Sequence, residues 1–235
     1  MRRFPSLNFL FSVLIIPLHS TPEWRPVSYH SIKANTVSFH QKPQIPQKPQ
    51  IPKKSQENQE GHKDQESLEI QVQESSSPLF YSLAKSLKIR AIHAQGNFSG
   101  LPQLGSHTEG ADEGDDYALR IGVVETGNNR PNWFQRLFAP EWLKELIKLF
   151  PDQGFGRIYF FTIAQKTPLG IERPLSKNKF AVEKIALKQE QPGPFKMDVD
   201  LNPPLEGFAL WLHSDGDNSG SQFTVRLDRL SLEVE

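Results

Sequence analysis

The chain has 235 residues, of which 27 are basic and 27 acidic, so its formal net charge is zero. A chain of this length holds one domain with a tail or two small domains, and its balanced charge lacks the basic footprint of a nucleic-acid partner. It contains no cysteine, which excludes disulfide bonds, thiolate nucleophiles, iron–sulfur clusters and cysteine-based zinc sites.

The first twenty residues have the pattern of a secretory signal. Arg2 and Arg3 precede an apolar run from Phe9 to Leu18. This run is too short for a durable membrane helix, which needs about twenty apolar residues. The pattern predicts a signal peptide over residues 1–20, export to the periplasm or the cell exterior, and no stable transmembrane segment in the mature chain. An uncleaved N-terminal anchor is the alternative.

Residues 21–77 have the composition of a linker. The hexapeptide QKPQIP occurs at 41–46 and again at 47–52, with proline at every third position, which favours polyproline II. No aromatic residue occurs from 41 to 77, and the few aliphatic side chains bury too little surface to offset the cost of ordering the chain. We expect a disordered spacer, with a proline-rich ligand for a groove-type domain as the alternative.

Residues 78–235 carry the pattern of one all-β domain. Apolar alternation or apolar runs predict strands at Leu87–Ala94, Tyr117–Val123, Ile158–Ile163, Phe180–Leu187, Phe195–Leu201, Phe208–Leu212 and Phe223–Val234. A change of phase near Asp228 predicts a β-bulge in the last strand. A helix is expected over Pro140–Phe150, between a proline that suits its first turn and Pro151 after it. These elements predict an antiparallel β-sandwich, jelly-roll or galactose-binding-like, with one helical insertion packed across one end.

The order of features over about residues 85–235 is similar to that of one bacterial family. The matching segments are Gly114–Arg120, the helix that follows, the strand Gly156–Ile163, the loop Thr167–Gly170 and the turn Asp215–Gly220. On these residues the chain resembles domain of unknown function number three thousand and forty-seven, whose members look exported and sandwich-like. It departs from the family at Phe161–Thr162, where the family usually has tryptophan. The resemblance implies export and a sandwich, and it implies no activity because the family has none assigned.

Arg120 and Trp211 are the candidate contacts for a ligand. Arginine offers forked hydrogen-bond donors and tryptophan a stacking face, the pair that a carbohydrate surface needs. The alternation puts Arg120 on the strand face opposite Tyr117, whereas Trp211 has apolar neighbours on both sides in FALWL, which favours a core position. Joint exposure of the two side chains would favour a binding module, and joint burial a scaffold.

The turn after the FALWL strand resembles half of a calcium-binding loop. Asp215, Asp217 and Ser219 precede Gly220 in the order of alternating oxygen ligands before a glycine turn. Arg226 stands where such a loop needs a bidentate glutamate, and a plain hairpin turn is the alternative. We predict Asp215 and Asp217 as ligands of calcium, completed by Asp115 or Asp116 if the acidic loop at 109–116 meets the turn. No cofactor is required.

No catalytic constellation can be identified in the domain. His93, His107 and His213 lack the spacing of a zinc hydrolase, and no serine lies in a nucleophile-elbow motif. The sequence therefore predicts an exported, non-catalytic domain that binds a glycan or an envelope component. A structural or assembly protein of the cell envelope, acting through protein–protein contacts, is the alternative, and a hydrolase is the third candidate.

Overall fold

Alternating apolar and polar residues form eleven strands in the described part of the chain. The computed structural model describes residues 11–40, 66–110, 115–131, 139–175 and 180–235. The strands are β1 (Ser12–Ile15), β2 (Trp24–Pro26), β3 (Thr36–His40), β4 (Ser67–Gln73), β5 (Ser76–Ser99), β6 (Tyr117–Asn129), β7 (Phe155–Ala164), β8 (Glu172–Pro174), β9 (Ala181–Lys188), β10 (Gly193–Asp215) and β11 (Gln222–Val234). One helix, α1 (Glu141–Leu149), joins them within these ranges. The predicted all-β fold with one helical insertion is confirmed.

The strands form one sheet, in the order β3-β4-β11-β5-β10-β6-β7-β9-β8, with β1 on β11 and β2 on β5. The two longest strands, β5 and β10, pair with each other at both ends, and their register breaks between Asp200 and Leu205 and again between Gly207 and Ala209. Irregularities of this kind bend strands, so β5 and β10 each contribute one half to either layer of a sandwich-like fold.

The first layer holds β1, β3, β4, β11, the C-terminal half of β5 and the N-terminal half of β10. The second holds β2, the other halves of β5 and β10, and β6, β7, β9 and β8. The main core lies between them, because one cluster of fully buried side chains joins Met197 and Val225 of the first layer to Leu119 and Leu212 of the second.

The helix α1 covers part of the outer face of the second layer. Its Leu143 and Leu146 are buried against Phe80, Phe160 and Trp211, which project from three strands of that layer. Pro140 occupies the position before the helix, and Glu141 lies in its first turn, where an acidic side chain is favourable. The helix bounds follow the prediction closely, but the helix lies on a sheet face rather than across an end of the sandwich.

The sheet begins well before residue 78. Strands β2, β3 and β4 lie within the segment predicted to be a linker over 21–77, and Leu68, Ile70 and Val72 of β4 are at most 2% exposed. These three residues alternate with polar ones, which is the sequence signal for a strand. Apolar residues are scarce in the surrounding segment, so its average composition is that of a linker. The QKPQIP repeats at 41–52 lie outside the described residues.

The predicted signal segment also contributes to the sheet. Strand β1 pairs antiparallel with Ser231–Val234 of β11, and the following Ile16 and Leu18 are 1% and 3% exposed in the main core. Residues 1–10 are outside the described part, and export remains a prediction. No helix among the described residues is long and apolar enough to cross a membrane.

Two details of strand pairing concern the prediction directly. The bulge near Asp228 is confirmed, because Leu227 pairs with Gly96 and Arg229 with Gln95, which leaves Asp228 as the extra residue. The sheet is not antiparallel throughout, however. Strands β7 and β9 run parallel, and the chain between them passes through β8, a connection that alternation along a single strand does not reveal.

Candidate functional site

A cavity of about 200 Å³ lies on the outer face of the second layer, beside α1. Its wall contains the aromatic side chains Tyr29, Trp142, Phe160 and Trp211 and the charged side chains Arg120 and Asp215, among others. The two predicted ligand contacts and one of the two predicted metal ligands therefore line the same cavity.

Strand alternation and one bulge bring the polar groups together. Trp211, His213 and Asp215 follow one another at intervals of two along β10, so they leave the same face of the strand. Opposite them on β6, His213 pairs with Arg120 and Asp215 with Tyr117. Between these two pairs, three residues of β10 face four of β6, and the extra residue turns Tyr117 to the face of Arg120. The predicted placement of Tyr117 on the opposite face is wrong for this reason.

The aromatic wall closes around Trp211. Its ring lies 4.7 Å from that of Phe80, 5.2 Å from Phe160 and 5.8 Å from Trp142, measured between ring centroids. Gly122 pairs with Trp211 across the sheet, and a side chain there would approach the Phe160 ring to 2.8 Å. Glycine at this position therefore allows the aromatic rings to close over the strand.

Arg120 is held in the cavity wall by acidic and aromatic partners. Its Nε donates to Glu183 at 2.8 Å and to Thr162 at 3.3 Å, and its Nη2 donates to Asp115 at 3.1 Å. The guanidinium carbon lies 3.4 Å from the centre of the Tyr117 ring, within the range of a cation–π contact. Only 5% of Arg120 is exposed, so its orientation is tightly determined.

Glu183 is the buried counter-ion of this arginine. It is fully buried, and Arg173 contacts its second carboxylate oxygen at 2.7 Å. Burial by itself disfavours the charge, but Arg120, the Thr162 hydroxyl and Arg173 outweigh it and hold the pKa of the Glu183 carboxyl below its usual range. Sequence analysis did not identify Glu183 as a site residue. Its signal is an acidic residue in phase with Ala181 and Ile185, on the buried face of β9.

His213 is a structural part of the wall. Its Nδ1 lies 2.5 Å from the Tyr117 hydroxyl and its Nε2 2.9 Å from Ser76 Oγ. Burial, and secondarily the charge of Arg120, lowers the pKa of His213 to about 3, so the imidazole is neutral near pH 7. A neutral imidazole has one donor and one acceptor nitrogen, and both are engaged here.

Trp211 has an unsatisfied hydrogen-bond donor. The side chain is 4% exposed, and its Nε1 is buried without an acceptor among the described residues. A buried indole N–H usually finds a partner, because leaving it unpaired costs about 1–3 kcal/mol. Arg120 and Trp211 are thus both buried, as the scaffold interpretation requires. Both nevertheless line a cavity, and the sequence-based alternatives, joint exposure or joint burial, did not include that arrangement.

An acidic cluster lies at the edge of this cavity. Carboxylate oxygens of Asp116, Asp215 and Asp217 all lie within 4.8 Å of one another. Asp116 accepts hydrogen bonds from the backbone N–H of Asn218, at 3.2 Å, and from the backbone N–H and hydroxyl of Ser219. The acidic loop therefore meets the turn, as the metal hypothesis requires. Asp116 joins the predicted pair, whereas its neighbour Asp115 pairs with Arg120.

Comparison with known proteins identifies no family. No protein-family model matches the chain, and no curated protein matches it. Among solved structures, the chain is similar to the enzymatically active domain of tailspike protein 4 of Bacteriophage CBA120, with a TM-score of 0.33 and 6% identity over 90% of this chain. The chain spans 19% of the length of that structure, and a similarity at this score carries no argument about function. The resemblance to the family described above stays a prediction.

Proposed function

We propose that this protein is a non-catalytic binding module that holds a neutral, hydroxylated ring, such as one unit of a glycan, in the cavity beside α1. The observation that carries the proposal is the buried Nε1–H of Trp211, which has no acceptor among the described residues and belongs to a side chain in the cavity wall. A ligand hydroxyl is the type of group that satisfies such a donor. Export to the periplasm or the cell exterior, predicted from the N-terminus, belongs to the same proposal.

The size and lining of the cavity support a single ring. Its volume of about 200 Å³ lies below the ~300–1,000 Å³ of sites for drug-sized ligands. Tyr29, Trp142 and Trp211 offer aromatic faces in its wall, and aromatic residues combine an apolar surface with a polar edge. A sugar ring has the complementary character, with C–H groups on its faces and hydroxyls at its rim.

The charges of the wall support a neutral ligand. The positive charge of Arg120 is already matched by Glu183 and Asp115, and Glu183 also binds Arg173. The acidic and basic side chains that line the cavity itself are Arg120, Asp115 and Asp215, so the wall has no excess of positive charge and offers an anionic ligand no net attraction. Arg120 Nη1 makes none of the hydrogen bonds found among the described residues, and it is the guanidinium nitrogen left for a ligand hydroxyl.

Binding is favoured over hydrolysis because the histidine and two of the carboxylates near the cavity are already engaged in hydrogen bonds or ion pairs. Both nitrogens of His213 are engaged by Tyr117 and Ser76, so this histidine is not a free base. Glu183 and Asp115 are engaged by arginines. A glycosidase needs two carboxyl groups on either side of the bond it cleaves, and these two instead hold Arg120.

The test is a screen of the full chain against neutral glycans, followed by calorimetric titration of any that bind. Trp211→Phe keeps an aromatic ring but removes the N–H donor together with part of the indole. We expect about tenfold weaker binding from the lost donor, the equivalent of one hydrogen bond of about 1.4 kcal/mol. Trp24→Phe is the matched control, because Trp24 is also buried but its Nε1 already donates to the Pro17 carbonyl at 2.7 Å. Equal affinities of wild type and Trp211→Phe would contradict the proposal, and binding of envelope proteins alone would favour the assembly alternative.

A further inference from the structure

We propose that Asp116, Asp215 and Asp217 form a calcium site at the edge of the cavity. The site itself does not depend on the proposed glycan binding. Asp215 belongs both to the acidic cluster and to the cavity wall, and the expectation that calcium also supports ligand binding rests on the proposed function.

The cluster is poorly compensated by the protein. Asp116 is fully buried, Asp215 is 8% exposed and Asp217 is half-buried. None of the three forms an ion pair with a basic side chain of the described residues, in contrast to Asp115 and Glu183 nearby. A divalent cation would relieve the mutual repulsion of three carboxylates whose oxygens lie within 4.8 Å of one another.

An unsatisfied oxygen points to a ligand independently of the clustering. Oδ1 of Asp215 is buried and has no hydrogen-bond donor among the residues that the structure describes. The large majority of buried polar side-chain atoms have a partner, and a buried carboxylate oxygen without one is an open position for a cation. By contrast, both oxygens of Asp116 accept hydrogen bonds from the turn at Asn218 and Ser219, which fixes its carboxylate beside the other two.

The donor set favours calcium over other cations. All three side chains supply carboxylate oxygens, which are hard ligands suited to calcium, magnesium or manganese rather than zinc or copper. The hydroxyl of Ser219 donates to Asp116, and the hydroxyl of Ser221 hydrogen-bonds to that of Ser219, so two further oxygen atoms lie close to the cluster. Calcium accepts six to eight oxygens in a flexible arrangement, whereas magnesium demands a near-ideal octahedron. Asp217 lies in a turn, and Asp116 and Asp215 lie at strand ends, so their oxygens can adopt the irregular arrangement that calcium accepts.

A shared proton is the competing explanation of the same geometry. The carboxyl groups of Asp215 and Asp217 are close enough to hydrogen-bond to each other, and one proton between them would also relieve the repulsion. The two explanations differ in what they predict near pH 7. A calcium site gains stability from added metal, because a ligand that binds only the folded state stabilises it, whereas a proton-sharing pair is indifferent to metal.

The experiment uses the full chain after treatment with chelator. Calcium titration by calorimetry should show one site, and terbium should give luminescence sensitised by the aromatic rings around Trp211. Asp217→Asn is the test variant, because it removes one charge at the half-buried position, and we expect at least about tenfold weaker calcium binding, since ligand charge sets affinity. Asp116 is unsuitable for this purpose because it also anchors the turn.

Asp228→Asn is the matched control, because Asp228 is an acidic residue that pairs with Arg226 outside the cluster, and its calcium affinity should equal that of the wild type. The melting temperature of the wild type should rise in calcium relative to chelator, and that of Asp217→Asn should not. Identical melting curves in calcium and chelator, or equal binding by the wild type and Asp217→Asn, would overturn the site. Displacement of calcium by equimolar magnesium would overturn the assignment of the metal.

The metal site and the glycan site can fail separately. Trp211→Phe should keep calcium affinity unchanged while it weakens glycan binding. Asp217→Asn should lose calcium and, with it, part of the glycan affinity. Calcium binding without glycan binding leaves the metal site standing and removes the proposed function, whereas glycan binding without calcium binding does the reverse. Glycan binding that is unchanged by calcium and by Asp217→Asn would contradict only the expectation that calcium supports ligand binding.

Discussion

The C-terminal end of β10 has two faces, and both are buried. On one face Leu210 and Leu212 are completely inaccessible and pack into the main core between the layers. On the other, Trp211, His213 and Asp215 line the cavity beside α1. The first face also holds the buried hydroxyl of Ser214, which has no partner among the described residues, but it contains no aromatic or charged side chain, whereas the second contains an indole N–H and a carboxylate oxygen without partners. Burial alone therefore does not distinguish a packed core from the wall of a site. The wall is marked by unsatisfied groups that belong to side chains lining a cavity, as Trp211 and Asp215 do.

The largest loss of folding stability is expected from a change in the main core, to which the N-terminal segment contributes side chains. Removal of residues 1–20 takes Ile16 and Leu18 out of the main core, and two such side chains contribute about 3–6 kcal/mol together. Urea unfolding of the truncated and full chains measures the difference. Unchanged stability of the truncated chain would show that the core closes without this segment, as a signal cleaved near residue 20 requires.

The next largest loss of stability is expected from a substitution beside the cavity, in the buried ion pair of Arg120 and Glu183. Glu183→Gln keeps the shape of the side chain and removes the charge that faces Arg120 and Arg173. Breaking a buried pair in this way costs about 3–5 kcal/mol, because the remaining cation is left uncompensated. Chemical unfolding at pH 7 checks this value. A cost below about 1 kcal/mol would mean that solvent or Asp115 compensates Arg120, and that the cavity wall is wetter than the geometry indicates.

The two faces of β10 also differ in how well the sequence predicts them. Alternation located the seven predicted strand segments of 78–235 and the bulge at Asp228, because a period of two residues is a local property. It missed the short β8, and the segments Phe195–Leu201 and Phe208–Leu212, predicted as separate strands, are parts of the one strand β10. The face of Tyr117 was mispredicted, because one extra residue in β6 appears only when its register with β10 is known. The cavity could not be predicted from the sequence for a similar reason. It depends on Tyr29, Trp142 and Arg120 lying beside Trp211 in the folded chain, and no pattern within one strand encodes that arrangement.

A smaller, pH-dependent effect is expected from His213. Its pKa is lowered from 6.5 to about 3, so below about pH 6.5 the unfolded chain binds a proton at this residue that the folded chain does not. Stability therefore falls as the pH drops from about 6.5 towards 3, by about 1.4 kcal/mol per pH unit for one such group. His213→Gln should lose less stability than the wild type between about pH 7 and pH 4.5 in urea titrations. Parallel losses in the two proteins would show that His213 is protonated in the folded state as well.

The smallest effect concerns two tryptophans that differ in one hydrogen bond. Trp24 and Trp211 are both buried, but Nε1 of Trp24 donates to the Pro17 carbonyl, whereas Nε1 of Trp211 has no acceptor among the described residues. Trp24→Phe loses that bond and leaves a carbonyl unpaired, which adds about 1–3 kcal/mol to the cost of the smaller ring. Trp211→Phe removes an unsatisfied donor, and this gain offsets the lost packing to within about 1 kcal/mol.

Thermal and urea unfolding of the two variants at pH 7 should therefore rank Trp211→Phe as the more stable. In the full chain the same variant should be the weaker glycan binder, so glycan affinity falls while the free energy of unfolding stays nearly unchanged. A residue kept only for packing cannot produce that combination, because its loss lowers stability and affects binding only through the fold. Equal destabilisation by the two substitutions would place the Trp211 indole among ordinary core residues, like Leu212 on the opposite face of the strand.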